Sequence, residues 1–220
     1  MNIAGITKTS TIDYSGKLSC VVFTCGCNYD CWYCHNRELL SGPPSIDEQE
    51  VFSFLKKRAL MLEGVVISGG EPTMQSDLVS FIFGIKSFGY HVKLDTNGSN
   101  PQVLGELIKN SLVDYVAVDY KAPFELYPDV CAHDASGIKE CIELLAQSDI
   151  AWEMRTTVIS QLGETDLAGM AKDVPVLPLY ALQRYRPVNG ESLDEIYSPS
   201  QINEFAAAVK KYQPNTVARV

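Results

Sequence analysis

Ser19-Cys-Val-Val-Phe-Thr24 is a short apolar run, and Cys25-Gly-Cys-Asn-Tyr-Asp-Cys-Trp-Tyr-Cys34 follows it without a spacer. The first stretch reads as a buried strand. The second sets Cys27, Cys31 and Cys34 in a Cys-x3-Cys-x2-Cys loop at the strand's carboxyl end. A cubane [4Fe-4S] cluster takes four thiolates, so a compact loop offering three leaves one iron with an open coordination position. An open iron points to catalysis. Zinc is the alternative, because Cys25 and His35 flank the triplet and zinc accepts mixed Cys and His ligands. Zinc knuckles, however, draw their ligands as two separated pairs, and no second Cys-x2-Cys follows.

Outward from this loop the chain alternates β-branched apolar runs with stretches of helical period, the pattern of repeated βα units around a parallel sheet. Strands are expected at Ser19–Thr24, Gly64–Ser68, Val92–Thr96, Tyr115–Asp119, Trp152–Ile159 and Val176–Arg186. Helices are expected from a capping box at Ser45-Ile-Asp-Glu48 to about Arg58, and at about Asp77–Phe88, Pro101–Asn110, Ala135–Gln147, Thr165–Lys172 and Ser200–Lys211. Six such units suit an α/β fold of the incomplete (β/α)6 TIM-barrel type, and no linker is long enough to divide residues 1–220 into two domains.

In parallel α/β folds the ligand site lies at the carboxyl ends of the strands. There the second predicted strand runs into Ser68-Gly-Gly-Glu-Pro-Thr73, the third into Leu94-Asp-Thr-Asn-Gly98 and the fourth into Val118-Asp-Tyr-Lys121. Gly69 and Gly70 would let backbone approach a ligand, and Glu71, before Pro72, would accept from an ammonium group; a plain strand-to-helix turn is the other reading. Asp95 and Asn97 read either as site residues or as turn caps, and Asp119 either as a site residue or as the ion-pair partner of Lys121. Arg155 alternates with Glu153 and Thr157 and either points into the barrel or pairs with Glu153. Gln183 or Tyr185 could line the open side.

Through the Cys27/Cys31/Cys34 loop and the Gly69-Gly70-Glu71-Pro72 turn, the chain resembles the radical S-adenosylmethionine (radical SAM) superfamily. The resemblance implies that SAM chelates the open iron and that a reduced cluster cleaves it to methionine and a 5′-deoxyadenosyl radical. It implies SAM contacts from Gly69, Gly70, Glu71, Pro72, Asp95, Asn97, Lys121 and Arg155, with Tyr33 near the adenine. It further suggests a monovalent cation held by Asp95, Thr96, Asp119 and the Ala117 carbonyl. The segment from Gly5 to Gly16, with Val21–Asn28 and Cys34-His-Asn36, is most similar to the activating proteins of anaerobic ribonucleoside-triphosphate reductases. That likeness implies a glycyl-radical protein substrate and a flavodoxin or ferredoxin as electron donor. Cys25 and Ser15 depart from that group, where glutamine and proline are common, and the role of Cys25 stays open. A small-molecule enzyme of the 7-carboxy-7-deazaguanine synthase type is the alternative within the superfamily, and a zinc-stabilised binding module the alternative outside it.

With 220 residues, 46% hydrophobic, the chain can bury a sizeable core, and its net charge of −9 offers no basic stripe for nucleic acid. No apolar run is long enough for a membrane span, and no export signal opens the chain. Seven cysteines in such a chain favour metal or redox chemistry over disulfides, so a cytoplasmic setting is expected.

Overall fold

A computed structural model of the chain describes residues 1–187 and 196–220. Its centre is one eight-stranded sheet in the order β1-β2-β3-β4-β5-β6-β7-β8. The strands are β1 (Ile3–Ser10), β2 (Ser19–Thr24), β3 (Gly64–Gly69), β4 (His91–Thr96), β5 (Tyr115–Asp119), β6 (Ala151–Val158), β7 (Tyr180–Arg184) and β8 (Thr216–Arg219). From β2 to β8 every pairing is parallel, while β1 runs antiparallel to β2. The sheet is open, with β1 and β8 at its two edges, and forms a partial TIM-type barrel around the six expected strands.

Two of the eight strands have no counterpart in the sequence reading. β1 is partly exposed through its middle, so no period-2 signal marks it. It can be antiparallel because residues 11–18 are too few for a crossover helix. β8 is only four residues long. β7 is shorter than expected at its start because Pro175 and Pro178 precede it, and proline cannot donate to a ladder.

The helices are α1 (Glu48–Arg58), α2 (Leu78–Lys86), α3 (Pro101–Lys109), α4 (Tyr127–Cys131), α5 (Ile138–Ala146), α6 (Glu164–Lys172) and α7 (Pro199–Val209). The cap of α1 is Asp47, whose carboxylate accepts from Gln49 N at 2.7 Å, and not Ser45. The Ser45 hydroxyl instead donates to the Ala4 carbonyl, tying the entry of α1 to β1. The single-turn α4 was not expected. It carries Pro128 in its first turn, is capped by Ala132 with φ of 51°, and offers its last carbonyls to the tricysteine loop: Asp30 N donates to Cys131 O at 2.9 Å and Trp32 N to Val130 O at 3.3 Å.

Strand periodicity divides the sheet into two faces. Val92, Leu94, Val116, Val118 and Met154 join the apolar core with Leu78, Phe81, Ile82 and Ile85 of α2. The alternate residues Lys93, Asp95, Asp119, Arg155, Thr157 and Gln183 line cavities on the barrel's inner side. The apolar helix layer therefore stabilises the sheet while charged groups point at one another inside it.

Candidate active site

Cys27, Cys31 and Cys34 line one cavity of about 430 Å³, together with the ends of β3, β4, β5 and β6. All are free thiols. Cys27 Sγ accepts from Tyr29 N at 3.4 Å, and Asn97 Nδ2 approaches it at 3.8 Å while donating to Asn28 Oδ1 at 2.9 Å. Burial pushes the Cys27 thiol up to about 11. Cys31 moves the other way, to about 7, because the Cys131 thiol donates to it and Lys121 lies nearby, against the opposing effect of burial. Cys131, three residues from Pro128 in sequence and remote from the triplet, has no motif to announce it. Only the docking of α4 brings it behind Cys31. Cys25 faces a separate cavity beside Met74 and Gln75, while His35 lines the tricysteine cavity with its Nε2 2.7 Å from the Arg186 carbonyl.

The Gly-Gly-Glu-Pro turn does a different job from the one its composition suggests. Gly69 has φ of +112°, and a Cβ there would stand 2.4 Å from Thr24 N; a Cβ on Gly70 would stand 1.9 Å from Gly26 O. Gly70 N donates to Thr24 O at 2.9 Å and Glu71 N to Gly26 O at 2.8 Å. The glycines thus admit the backbone of the tricysteine loop itself. Glu71 is 1% exposed, and four donors converge on its carboxylate: Thr73 N at 3.1 Å, Thr73 Oγ1 at 2.6 Å, Thr96 Oγ1 at 2.7 Å and Asn97 N at 2.7 Å. Three of these donors fall on Oε1 and one on Oε2, and together they fasten the end of β3 to the end of β4. Burial raises the Glu71 pKa, with these donors pulling it back. Pro72 opens a 3-10 turn and does not line the cavity.

A row of alternating charges crosses the cavity floor. Lys93 Nζ lies 3.2 Å from Asp95, whose other oxygen is 3.3 Å from Arg155; Arg155 Nε donates to Asp119 at 2.7 Å, and Lys121 Nζ is 3.4 Å from Asp119. Ser68 Oγ also donates to Asp95 at 3.2 Å. Burial pushes Asp119 up, but Arg155 and Lys121 outweigh it and hold the carboxyl below its ordinary value. Burial likewise disfavours the Lys121 ammonium, yet Tyr33, Asp119 and the neighbouring sulfurs raise its pKa. Arg155 does not pair with Glu153, which is bound by Arg219 at 3.1 Å. Of the four residues expected around a cation, Asp95 and Asp119 are bridged by Arg155, the Thr96 hydroxyl donates to Glu71, and Ala117 is buried between β4 and β6.

Tyr33, buried, forms one wall with Trp32 and Tyr185 at ring-centroid distances of 5.6 and 6.1 Å. Gln183 lines the cavity as well.

The radical SAM superfamily profile matches residues 21–174, from β2 to just past α6. The chain belongs to the radical SAM superfamily. This radical SAM enzyme is 38% identical, over 99% of its length and 95% of the relative, to a Methanocaldococcus jannaschii protein whose given name is that of a glycyl-radical enzyme activating enzyme. It is 31% identical over 93 residues to a GTP 3′,8-cyclase of Pyrococcus horikoshii, covering 42% of this chain and 30% of that one. Among solved structures, TYW1 with a lysine-pyruvate adduct superposes with a TM-score of 0.66 at 15% identity, over 89% of this chain and 73% of that one. A domain of pyruvate-formate lyase-activating enzyme from Bacteroides vulgatus gives 0.59 at 18%, over 72% and 99%. At such identities the structures speak to the fold alone.

The donor set fits the iron-sulfur group that this superfamily carries. Among the described residues no three His, Cys, Asp or Glu side chains are placed to hold a single metal ion, as a tetrahedral zinc with ~2.3 Å bonds to sulfur would require. Three sulfurs spread around one cavity suit a multi-iron cluster, in which each ligated iron takes one thiolate. No helix among the described residues is long and apolar enough to cross a membrane.

Proposed function

We propose that this enzyme is the activase of an anaerobic ribonucleoside-triphosphate reductase, that residues 1–220 form one radical SAM core domain, and that its substrate is a glycine Cα–H of the partner. The observation that carries the reading is the meeting of a three-thiol cavity with a sheet that never closes. Its edges β1 and β8 leave a side entrance through which a polypeptide loop can reach the sulfurs. The full-length likeness to a glycyl-radical enzyme activating enzyme supports it, and the Gly5–Gly16 segment narrows it to the reductase class.

When bound, the [4Fe-4S] cluster and SAM supply a 5′-deoxyadenosyl radical. Cys27, Cys31 and Cys34 would hold the cluster, three thiolates leaving one coordination position for SAM. Lys121 and Arg155 supply positive charge for the SAM carboxylate, in place of an alkali cation. Asn97 Nδ2, anchored on Asn28 Oδ1, and Tyr29 N donate toward Cys27 Sγ, and such hydrogen bonds tune cluster potential. Tyr33 and the aromatic wall keep water from the cavity, which suppresses side reactions of a radical. A flavodoxin or ferredoxin delivers the electron.

The test is anaerobic reconstitution with iron and sulfide, reduction, and detection of 5′-deoxyadenosine with and without the candidate reductase. A brown protein that cleaves SAM, and a glycyl radical seen by electron paramagnetic resonance only with the reductase, is the expected result. Cleavage with no protein radical would move the assignment to a small-molecule substrate.

A further inference from the structure

The tricysteine loop and α4 are joined by more than packing. Asp30 N donates to Cys131 O at 2.9 Å and Trp32 N to Val130 O at 3.3 Å, so Cys31 is tethered to α4 through the residues on both sides of it. Between those tethers the Cys131 thiol donates to Cys31. Both thiols are free. With the two backbones already held together, a bond between the sulfurs asks for side-chain rotation and not for a rearrangement of the chain. Cys27 is engaged differently, its sulfur accepting from Tyr29 N at 3.4 Å.

The two thiols differ in what can reach them. Cys31 lines the cavity of about 430 Å³, whereas Cys131 is 0% exposed and lies behind it, outside that lining. A small oxidant in the cavity therefore meets Cys31, and Cys131 is reached only through Cys31. An accessible thiol poised next to a second, resolving thiol is the arrangement of a redox-sensitive cysteine. In the loaded enzyme iron occupies Cys31, so the pair is available once the cluster is lost.

We propose that Cys131 is the resolving partner of Cys31, and that the cluster-free enzyme, on meeting a peroxide, closes a Cys31–Cys131 disulfide that blocks cluster assembly until a dithiol reopens it. The Cys31 sulfur attacks one peroxide oxygen, the O–O bond breaks, and a sulfenic acid and one water result. The Cys131 sulfur then attacks the Cys31 sulfur, the S–O bond breaks, and the hydroxyl leaves with the Cys131 proton as a second water. The thiols lose two electrons and two protons, and the peroxide becomes two waters. Left unresolved, a sulfenic acid advances to sulfinic acid, which thiols do not reverse. The disulfide thus keeps a cluster ligand recoverable. The inference needs the cluster assignment but not the identity of the protein substrate.

The full chain, freed of iron under reducing anaerobic conditions and desalted, is treated with hydrogen peroxide, blocked with iodoacetamide and cut with chymotrypsin without reductant. Cleavage after Tyr29 and Tyr33 separates Cys31 from Cys27 and Cys34, so mass spectrometry reads its partner. The peptide linked to the one carrying Cys131 should dominate. Loading with ferrous iron and sulfide in the absence of thiol should fall about tenfold after peroxide, since the cluster needs all three thiolates, and dithiothreitol should restore it. Cys131→Ser, compared with its own loading before peroxide, should show sulfinic acid at Cys31 and a loss that dithiothreitol leaves in place. A main crosslink from Cys31 to Cys27 or Cys34 would overturn the proposal. So would a Cys131→Ser chain that recovers as fully as the unmodified one. If that variant takes up no iron before peroxide, the linked peptide of the unmodified chain decides by itself.

Discussion

Gly70 and Gly26 pass so closely that a single added carbon on Gly70 would lie 1.9 Å from the Gly26 carbonyl oxygen. Through this crossing, the turn after β3 sets the position of the loop that carries Cys27.

Gly70→Ala should therefore displace that loop. Forced overpacking of a tight site costs about 1–3 kcal/mol, and here backbone is the obstacle. Reconstituted iron content should drop sharply, and the urea midpoint should fall with an unchanged denaturant slope.

Glu71→Ala leaves Asn97 N and Thr73 N buried without an acceptor, at about 1–3 kcal/mol each. Stability should fall by at least ~2 kcal/mol while the three thiolates still bind iron. SAM affinity, read by equilibrium dialysis, should weaken through misplacement of Asn97, whose backbone N donates to Glu71 Oε2.

Arg155→Leu leaves Asp95 and Asp119 without their shared counter-ion. Breaking a buried pair in this way costs about 3–5 kcal/mol. If Arg155 supplies the charge assigned to a cation, SAM affinity of the unmodified enzyme should be the same in potassium and tetramethylammonium salts, and only the variant should gain from potassium. Potassium dependence of the unmodified enzyme would return Asp95 and Asp119 to a cation site.

Iron-free protein should be alkylated first at Cys31, whose pKa lies near 7, and much later at Cys27, near 11. The thiolate is the reactive form, so the Cys31 rate should rise tenfold per pH unit below pH ~7 and then level off. Cys131→Ala removes the hydrogen bond that lowers this pKa and should shift the curve toward the ordinary cysteine range. Peptide mass spectrometry after brief iodoacetamide treatment resolves the two sites.

Much of this architecture is legible from local pattern. Val92, Leu94, Val116 and Val118 alternate with Lys93, Asp95 and Asp119, and that period alone places the apolar set on the helices and the charged set inside the barrel. The strand-end motifs fall on one rim for the same reason. β1 and β8 escape such a reading because an edge strand needs no continuous apolar run, and α4 because five residues carry too little periodicity.

The sequence by itself determined the superfamily, the βα order and the grouping of three thiols in one loop, since spacing along the chain is all that a compact loop or a strand period requires. Tertiary structure alone decided that Glu71 is a clasp between β3 and β4, that Arg155 joins Asp95 to Asp119, and that Cys131 backs Cys31. Each of these depends on which side chains meet across parallel strands joined by long crossovers, and residues 25, 36 and 100 positions apart become neighbours only when the sheet forms.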